Sequence, residues 1–176
     1  MRSALYLVPL AALAAPTAVY ATAYLSVEQA QGLMFPGETL SAQFHQLSGE
    51  QVSAIRKDSG ESPLSKDLKA WRSSKGGWFI VDEVVGKHEF ITFALALEAD
   101  GKVKGVEILD YREAYGGQVR GSTWRAQFTG KTHGDKLKLG QDIQNISGAT
   151  LSSKHVTDGV RRLLATHALV LAPGDR

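Results

Sequence analysis

The sequence predicts an α+β fold in which helices pack against an antiparallel sheet. Three observations support this class. Strand-forming segments follow one another between residues 78 and 109, two Ser-x-x-Gln patterns mark short helices near the N-terminus, and apolar residues recur at helical spacing after residue 154. No Gly-x-Gly-x-x-Gly follows any predicted strand, so a dinucleotide-binding Rossmann sheet is excluded.

Two capping boxes predict the N-terminal helices. Ser26-Val27-Glu28-Gln29 places Ser at the N-cap and Gln three residues later, which predicts a helix from Val27 to about Met34. Ser48-Gly49-Glu50-Gln51 repeats the pattern and predicts a helix that ends near Lys57. The segment from Asp58 to Ala70 contains Ser, Gly, Pro and mixed charges, and it is expected to be a loop.

The sheet is predicted to begin at Trp78. Trp78 to Val85 is rich in strand-forming residues, Glu89 to Ala99 is a long apolar strand, and Lys102 to Leu109 alternates apolar and polar residues. Asp100-Gly101 lies between the last two strands and is typical of a tight hairpin turn. These strands therefore should pair in antiparallel order along the chain.

Length and composition limit the function classes. The chain has 176 residues, which favours one domain, and 43% of them are hydrophobic, which suffices for a packed core. A net charge of +2 argues against a nucleic-acid partner. The chain has no cysteine, so disulfides, Cys-ligated iron–sulfur clusters and Cys-attached haem are excluded. The five histidines show no metal-ligand spacing, and no metal site is expected.

The N-terminus is typical of a secretory signal. Arg2 precedes an uncharged apolar run from Ala4 to Ala15, and Ala21-Thr22-Ala23 fits a signal-peptidase site. Cleavage is expected after Ala23, with Ala21 as second candidate, and an uncleaved membrane anchor is the alternative. The predicted organisation is a signal peptide at 1–23 and a single domain at 24–176, with an N-terminal helical part at 24–75 and a core at 78–176. The expected location is the periplasm.

The stretch Ile146–Ser153 places small and hydroxyl residues directly before a predicted helix. Either Ser152 or Ser153 is expected to be the N-cap. A helix N-terminus has unpaired N–H groups and a partial positive charge, so it favours a bound phosphate. The small residues allow close approach of a ligand, and Thr150 supplies a hydroxyl at the same place. The candidate phosphate-site residues are Ser147, Gly148, Ala149, Thr150, Leu151 and Ser152.

The tetrapeptide Ser147-Gly148-Ala149-Thr150 resembles the flavinylation motif of the FMN-binding domain family. That family includes the covalent-flavin subunits of sodium-pumping NADH:quinone reductase and of Rnf complexes, and smaller periplasmic flavoproteins. The resemblance implies FMN esterified through its phosphate to Thr150 by a separate flavin transferase that uses FAD and magnesium. The family often has Asp where this chain has Gln144, so FMN held without a covalent bond is one alternative. A turn that only caps a helix is another.

The segment after the last predicted strand resembles the family's Glu-Thr-Pro-Gly, which approaches the flavin. Glu113 and Gly116 match the pattern, while Ala114 and Tyr115 replace Thr and Pro. Tyr115 could stack on the flavin ring, and Glu113 could accept a hydrogen bond from the flavin. The alternatives are a Tyr115 packed on its own loop and a Glu113 paired with Arg112 or Arg120.

A second segment, Trp124 to Lys131, resembles the family's Trp-x-x-Gln-Phe-x-Gly-Lys. Trp124 and Phe128 are four residues apart, so they share one face of a helical turn. Phe128 is expected in the core. Trp124 and Gln127 are expected either to line the flavin pocket or to pack structurally.

These patterns together predict an electron carrier that holds one FMN. No residue resembles a substrate-activating acid or base, so an enzyme with its own substrate is the less favoured interpretation. The expected partners are a membrane-bound electron donor, a periplasmic acceptor and the flavin transferase. The rivals are a flavin-free binding or scaffold module of the same fold and a flavin-dependent reductase or dehydrogenase.

Overall fold

The structure is a computed structural model that describes residues 22–172. The part of the predicted signal peptide before Thr22 lies outside the described residues. Within the described range seven strands form a sheet in the order β1-β7-β6-β5-β4-β2, with β3 paired to β4, and every pair is antiparallel. The strands are β1 (Thr22–Ala23), β2 (Leu40–Ala42), β3 (His45–Gln46), β4 (Asp67–Ser73), β5 (Trp78–Val85), β6 (Phe90–Leu97) and β7 (Val103–Tyr111). The predicted α+β class is confirmed.

Four α-helices flank the sheet in the described part of the chain. They are α1 (Val27–Met34), α2 (Gly49–Ser59), α3 (Ser122–Arg125) and α4 (Thr150–Thr166), the last of which continues into a π-helical turn at His167–Leu171. Both capping boxes are present. The side chains of Ser26 and Ser48 each accept a hydrogen bond from the N–H of the glutamine three residues on, and the N–H of each serine donates to the side chain of that glutamine. The predicted bounds of α1 are confirmed, and α2 extends two residues beyond Lys57.

The sheet is buried on both faces. Phe93, Leu95 and Leu97 of β6 belong to the core beneath α2 and α4, while Ala94 and Ala96 belong to a second core beneath α1. Successive residues of a strand point to opposite faces, so a doubly covered strand must be apolar throughout. This burial explains the uninterrupted apolar run from Phe93 to Leu97 in β6.

The sheet begins earlier in the chain than predicted. Asp67–Ser73, which was expected to lie mostly in a loop, is β4, and it pairs with β5 from Lys69↔Val81 to Arg72↔Trp78. Leu68 and Ala70 are buried while their neighbours Asp67 and Lys69 are exposed, so the segment has the alternation of a half-buried strand. The charged residues of this short segment hid that alternation. The part expected to be helical, 24–75, therefore also contributes β2, β3 and β4.

The first strand involves the predicted cleavage region. Thr22 and Ala23 pair with Tyr111 and Asp110 of β7. Cleavage after Ala23 would remove this strand, whereas cleavage after Ala21, the second candidate, would leave it in the mature chain. Among the helices of residues 22–172, none combines the length and hydropathy needed to cross a bilayer.

Candidate cofactor-binding site

A cleft of about 420 Å³ opens between the N-terminus of α4, the loop after β7 and the hairpin between β5 and β6. Its volume falls in the range of small-molecule and cofactor sites. Most of the residues predicted to bind a cofactor lie in its wall. The lining residues are Lys87, His88, Glu113, Ala114, Tyr115, Gly116, Gly148, Ala149, Thr150, Leu151 and Ser152.

The N-terminus of α4 carries no capping side chain. The helix begins at Thr150 with Ala149 as N-cap, so the prediction of Ser152 or Ser153 as N-cap was wrong. Both serines lie in the first turn, where they are buried. The N–H of Ser153 donates to the Ala149 carbonyl at 2.9 Å and is the first intrahelical bond. The N–H groups of Thr150, Leu151 and Ser152 precede that bond and have no acceptor within the helix.

This end of α4 suits a phosphate better than a capped helix does. Ser, Thr, Asp or Asn at the N-cap would accept one of the unpaired N–H groups, but Ala149 cannot. The three N–H groups and the partial positive charge of the helix end are therefore left to an anion. The observed helix start gives this role to the N–H groups of residues 150–152.

Thr150 lies in the wall of the cleft. The residue is exposed, and its Oγ1 accepts a hydrogen bond from Nδ2 of Asn145 at 3.1 Å. Gly148 precedes it with φ +81°, a left-handed conformation that favours glycine, and this residue turns the chain into the helix. Ser147 is exposed but is not part of the cleft wall.

A hydroxyl pair joins the loop after β7 to α4. The Tyr111 hydroxyl lies 3.0 Å from Ser152 Oγ and donates a hydrogen bond to the carbonyl of Tyr115. Gly116 has φ +89°, and a Cβ there would lie 2.7 Å from the Tyr111 hydroxyl and 2.8 Å from Ser152 Oγ. Burial raises the pKa of Tyr111, and the Ser152 hydroxyl offsets this only in part, so the phenol remains a neutral donor.

Tyr115 is the most exposed large apolar side chain of the described residues, at 86%. The alternative in which its ring packs on its own loop therefore does not apply. Its carbonyl is held by Tyr111, so the backbone is fixed while the ring projects beside the cleft. Stacking of this ring on a flavin stays a prediction.

Glu113 supports the β5–β6 hairpin. Its carboxylate accepts hydrogen bonds from the N–H groups of His88 and Glu89, the second at 3.0 Å. Burial acts to raise the pKa of Glu113, but the hydrogen bonds from the backbone N–H groups outweigh it, and the pKa is held below its ordinary value. Neither suggested arginine pairs with it, since Arg112 binds Asp110 and the Arg120 guanidinium lies 4.2 Å from the Tyr24 ring centroid.

Trp124 and Gln127 lie outside the cleft wall, and of the two alternatives for them the contacts favour structural packing. Trp124 Nε1 donates to the carbonyl of Gln144 at 2.8 Å, and Gln127 Oε1 accepts the N–H of Gln144 at 2.8 Å. Both side chains thus hold the peptide groups of one loop residue. Phe128 is fully buried and packs edge-on against Trp124, with ring centroids 5.1 Å apart, as the prediction of a core residue requires.

Several contacts of the site region were not predicted from the sequence. Lys87 and His88 line the cleft from the β5–β6 hairpin, and Asn145 contacts Thr150. His155 Nδ1 lies 3.1 Å from the Gly86 carbonyl and joins α4 to the same hairpin. The position of Asn145 beside the Ser-Gly-Ala-Thr motif was a usable signal, whereas the hairpin lies about 60 residues away in the chain and no local pattern marks it.

The donor set fits a flat cofactor that carries a phosphate. Three free N–H groups and an exposed hydroxyl lie at one wall, and Lys87 and His88 line the same cleft. Apolar surface from Ala114, Tyr115 and Leu151 is suited to contact with a conjugated ring. The cleft can therefore bind a phosphate and a conjugated ring at the same time.

Residues 86–165 match the model of the FMN-binding domain. This segment, a little under half of the chain, is similar to the FMN-binding domain family. Its cofactor is FMN, and every residue of the cleft wall lies within the matched segment. The matched segment contains β6, β7, α3 and α4, while α1, α2 and β1 to β5 precede it.

A curated relative also matches part of the chain. The chain is similar to one of the subunits of the Na⁺-translocating ferredoxin:NAD⁺ oxidoreductase complex of Acetobacterium woodii, with 36% identity over 73 residues. The aligned region is 36% of this chain and 35% of the relative, so the chain matches about a third of the length of that protein.

Proposed function

We propose that this protein is an electron carrier whose FMN is esterified through its phosphate to Thr150. The observation that carries the proposal is the exposed Thr150 hydroxyl in the cleft, at a helix N-terminus that no side chain caps. A phosphate bonded to this hydroxyl would meet the N–H groups of residues 150–152 and the positive end of α4.

Other residues of the cleft would orient the cofactor. FMN, when bound, supplies a ring that accepts and releases electrons. Lys87 would oppose the phosphate charge and His88 would lie beside it, while Tyr115 and Leu151 would contact the ring. The Glu113 carboxylate is occupied by backbone N–H groups, so it is poorly placed to act as an acid or base toward a substrate. This favours a carrier over an enzyme with its own substrate.

The proposed location is the periplasm, with a cleaved signal peptide; an uncleaved membrane anchor is the alternative. The proposal for the location rests on the charged and apolar pattern of the first 23 residues. The relative from Acetobacterium woodii is named as a subunit of an oxidoreductase complex. By analogy, the partners of this chain would be a membrane-bound electron donor and a periplasmic acceptor protein, and a flavin transferase would attach the FMN.

Intact-protein mass spectrometry tests the attachment. The full chain is coexpressed with an exported flavin transferase, and the mass is expected to increase by FMN less one water. Thr150→Ala should abolish the adduct, whereas Ser147→Ala, the matched control in the same motif, should retain it. An adduct that survives Thr150→Ala but is lost in Ser147→Ala would refute the assignment.

The same preparation separates the alternatives. Non-covalent FMN is favoured by Gln144, which stands where the family often has Asp. It predicts a yellow protein whose flavin is released on unfolding and whose polypeptide mass is unchanged. A flavin-free module predicts a colourless protein of unmodified mass. A flavin-dependent reductase or dehydrogenase predicts steady turnover of a small reductant and acceptor without any partner protein.

A further inference from the structure

The contact between Asn145 and Thr150 involves the proposed acceptor atom itself. Nδ2 of Asn145 donates to Thr150 Oγ1 at 3.1 Å, although both residues are exposed. An isolated surface hydrogen bond of this kind is easily broken by water, because both side chains are free to rotate. The backbone that carries Asn145 must therefore be held for the contact to persist.

The residue before Asn145 is held from two sides. Trp124 Nε1 donates to the Gln144 carbonyl and Gln127 Oε1 accepts the Gln144 N–H, each at 2.8 Å. Trp124 and Gln127 form a clamp on the Gln144 backbone. This clamp is itself held in place, since Gln127 Nε2 donates to the Trp124 carbonyl at 3.1 Å and Trp124 packs on the buried Phe128. Only the backbone of Gln144 takes part in these contacts. The side chain at position 144 is therefore free to vary while position 145 stays fixed.

We propose that Asn145 is a positioning residue for the attachment of FMN, and that Trp124 and Gln127 hold it in place through the Gln144 backbone. The proposal rests on the covalent attachment proposed above. A threonine hydroxyl has one proton and two lone pairs, and threonine in a helix divides between two rotamers. The Asn145 amide occupies one lone pair and selects the rotamer, so the second lone pair and the proton are left toward the cleft.

The bond changes of the attachment define what Asn145 must allow. Thr150 Oγ1 forms a bond to the phosphorus of the FMN half of FAD, and the bond from that phosphorus to the bridging pyrophosphate oxygen breaks. AMP leaves, and the hydroxyl proton passes to a base that the transferase or solvent supplies. An uncharged donor beside Oγ1 suits this step, because it neither removes the attacking lone pair nor repels the phosphate.

An aspartate at position 145 would act differently. A carboxylate accepts hydrogen bonds but does not donate them, so the Thr150 hydroxyl would turn its proton toward position 145. The carboxylate would also place a negative charge beside the incoming phosphate. Asn145→Asp therefore keeps the shape of the side chain while reversing the direction of its hydrogen bond. The variant thus distinguishes a role of Asn145 as hydrogen-bond donor from a role in packing alone.

The test measures the rate of adduct formation by mass spectrometry, with purified chain, purified flavin transferase, FAD and magnesium. Asn145→Ala is expected to lower the maximal rate about five- to tenfold, the effect of losing one neutral hydrogen bond. Asn145→Asp should lower it further. Gln144→Ala is the matched control, because it removes the neighbouring amide side chain and keeps the backbone clamp, and its rate should equal that of the wild type.

Two further readouts, the KM for the chain and the melting temperature, decide the role. The KM for the chain and the melting temperature should be the same in Asn145→Ala and Gln144→Ala, since a merely structural role would change them. Wild-type rates in both Asn145 variants, with the wild type fully modified, would overturn the positioning role and leave the attachment to Thr150 intact. A wild-type chain that never acquires the adduct would overturn both proposals.

Discussion

The hydroxyl groups of Tyr111 and Ser152 lie 3.0 Å apart, although 41 residues separate them in the chain. Tyr111 ends β7 and Ser152 lies in the first turn of α4, so this contact joins the two walls of the cleft. Tyr111 also donates to the Tyr115 carbonyl. One phenol therefore sets the position of the exposed Tyr115 relative to the helix end that is proposed to bind the phosphate.

Tyr111→Phe should destabilise the protein and loosen this loop. The change removes the phenol hydroxyl that bonds the Ser152 hydroxyl, which is 5% exposed, and the Tyr115 carbonyl. Leaving these groups without that partner should lower the free energy of unfolding by about 1–3 kcal/mol. Chemical denaturation followed by tryptophan fluorescence measures the change. Tyr24→Phe is the control, since the Tyr24 ring packs against Arg120 and its change should stay within about 0.5 kcal/mol. Equal stabilities of the two variants would contradict this account.

Glu113 should make stability depend on pH in the acid range. Its pKa is lowered in the folded protein, because the hydrogen bonds from the hairpin N–H groups outweigh the opposing effect of burial. The carboxylate therefore contributes stability above its ordinary value of 4.5, and that contribution is lost as pH falls through the lower folded pKa. The free energy of unfolding should fall more steeply below pH 4.5 in the wild type than in Glu113→Gln.

The control for this pH dependence is Glu89→Gln, which removes an exposed carboxylate from the same hairpin. Its free energy of unfolding at neutral pH should stay within about 0.5 kcal/mol of the wild type, as expected for an exposed surface substitution. Parallel curves for wild type and Glu113→Gln would show that the hairpin contacts of Glu113 do not carry the effect.

Two helical glycines should respond to alanine in opposite directions. A Cβ at Gly159 would lie 2.7 Å from Val84 Cγ1 and 2.9 Å from Phe93 Cζ, because α4 approaches the sheet closely there. Overpacking costs about 1–3 kcal/mol and exceeds the helix-propensity gain of about 1 kcal/mol, so Gly159→Ala should destabilise. Gly32 lies in α1 with nothing within 4 Å of its Cβ position, so Gly32→Ala should stabilise by up to about 1 kcal/mol.

Thermal unfolding of both glycine variants gives the measurement. A higher melting temperature for Gly32→Ala and a lower one for Gly159→Ala are expected. A stabilised Gly159→Ala would mean that Val84 and Phe93 move aside readily, and the close packing of α4 on the sheet would not limit this position.

Tyr115 should report on the flavin ring. If its ring stacks on the flavin, contact with the phenol quenches flavin emission, and Tyr115→Leu should increase the fluorescence of the loaded protein at equal flavin content. Phe44→Leu removes an exposed aromatic ring that packs on Trp71 and is not part of the cleft wall, so it should leave the emission unchanged. Unchanged emission in Tyr115→Leu would place the ring of the flavin elsewhere in the cleft.

Much of the framework follows from local patterns. The capping boxes at Ser26 and Ser48 and the strand at Trp78–Val85 have the predicted positions, because each depends on residues within a few positions of one another. The strand at Asp67–Ser73 was missed, since its charged residues resemble a loop until pairing with β5 selects the extended state. The N-cap of α4 was misplaced because two serines nearby are stronger capping residues than Ala149.

The sequence by itself determined the antiparallel sheet, the two capped helices, and a small-residue turn that carries the Thr150 hydroxyl into a helix. These features depend on periodicity and on turn chemistry, which act within one segment. Only the tertiary structure decided the surroundings of that hydroxyl. The β5–β6 hairpin forms part of the cleft, the Tyr111 phenol joins the loop after β7 to α4, and Asn145, held by Trp124 and Gln127 through Gln144, contacts the hydroxyl itself. The physical reason is that packing on both faces of the sheet brings distant segments together, and no local pattern encodes that arrangement.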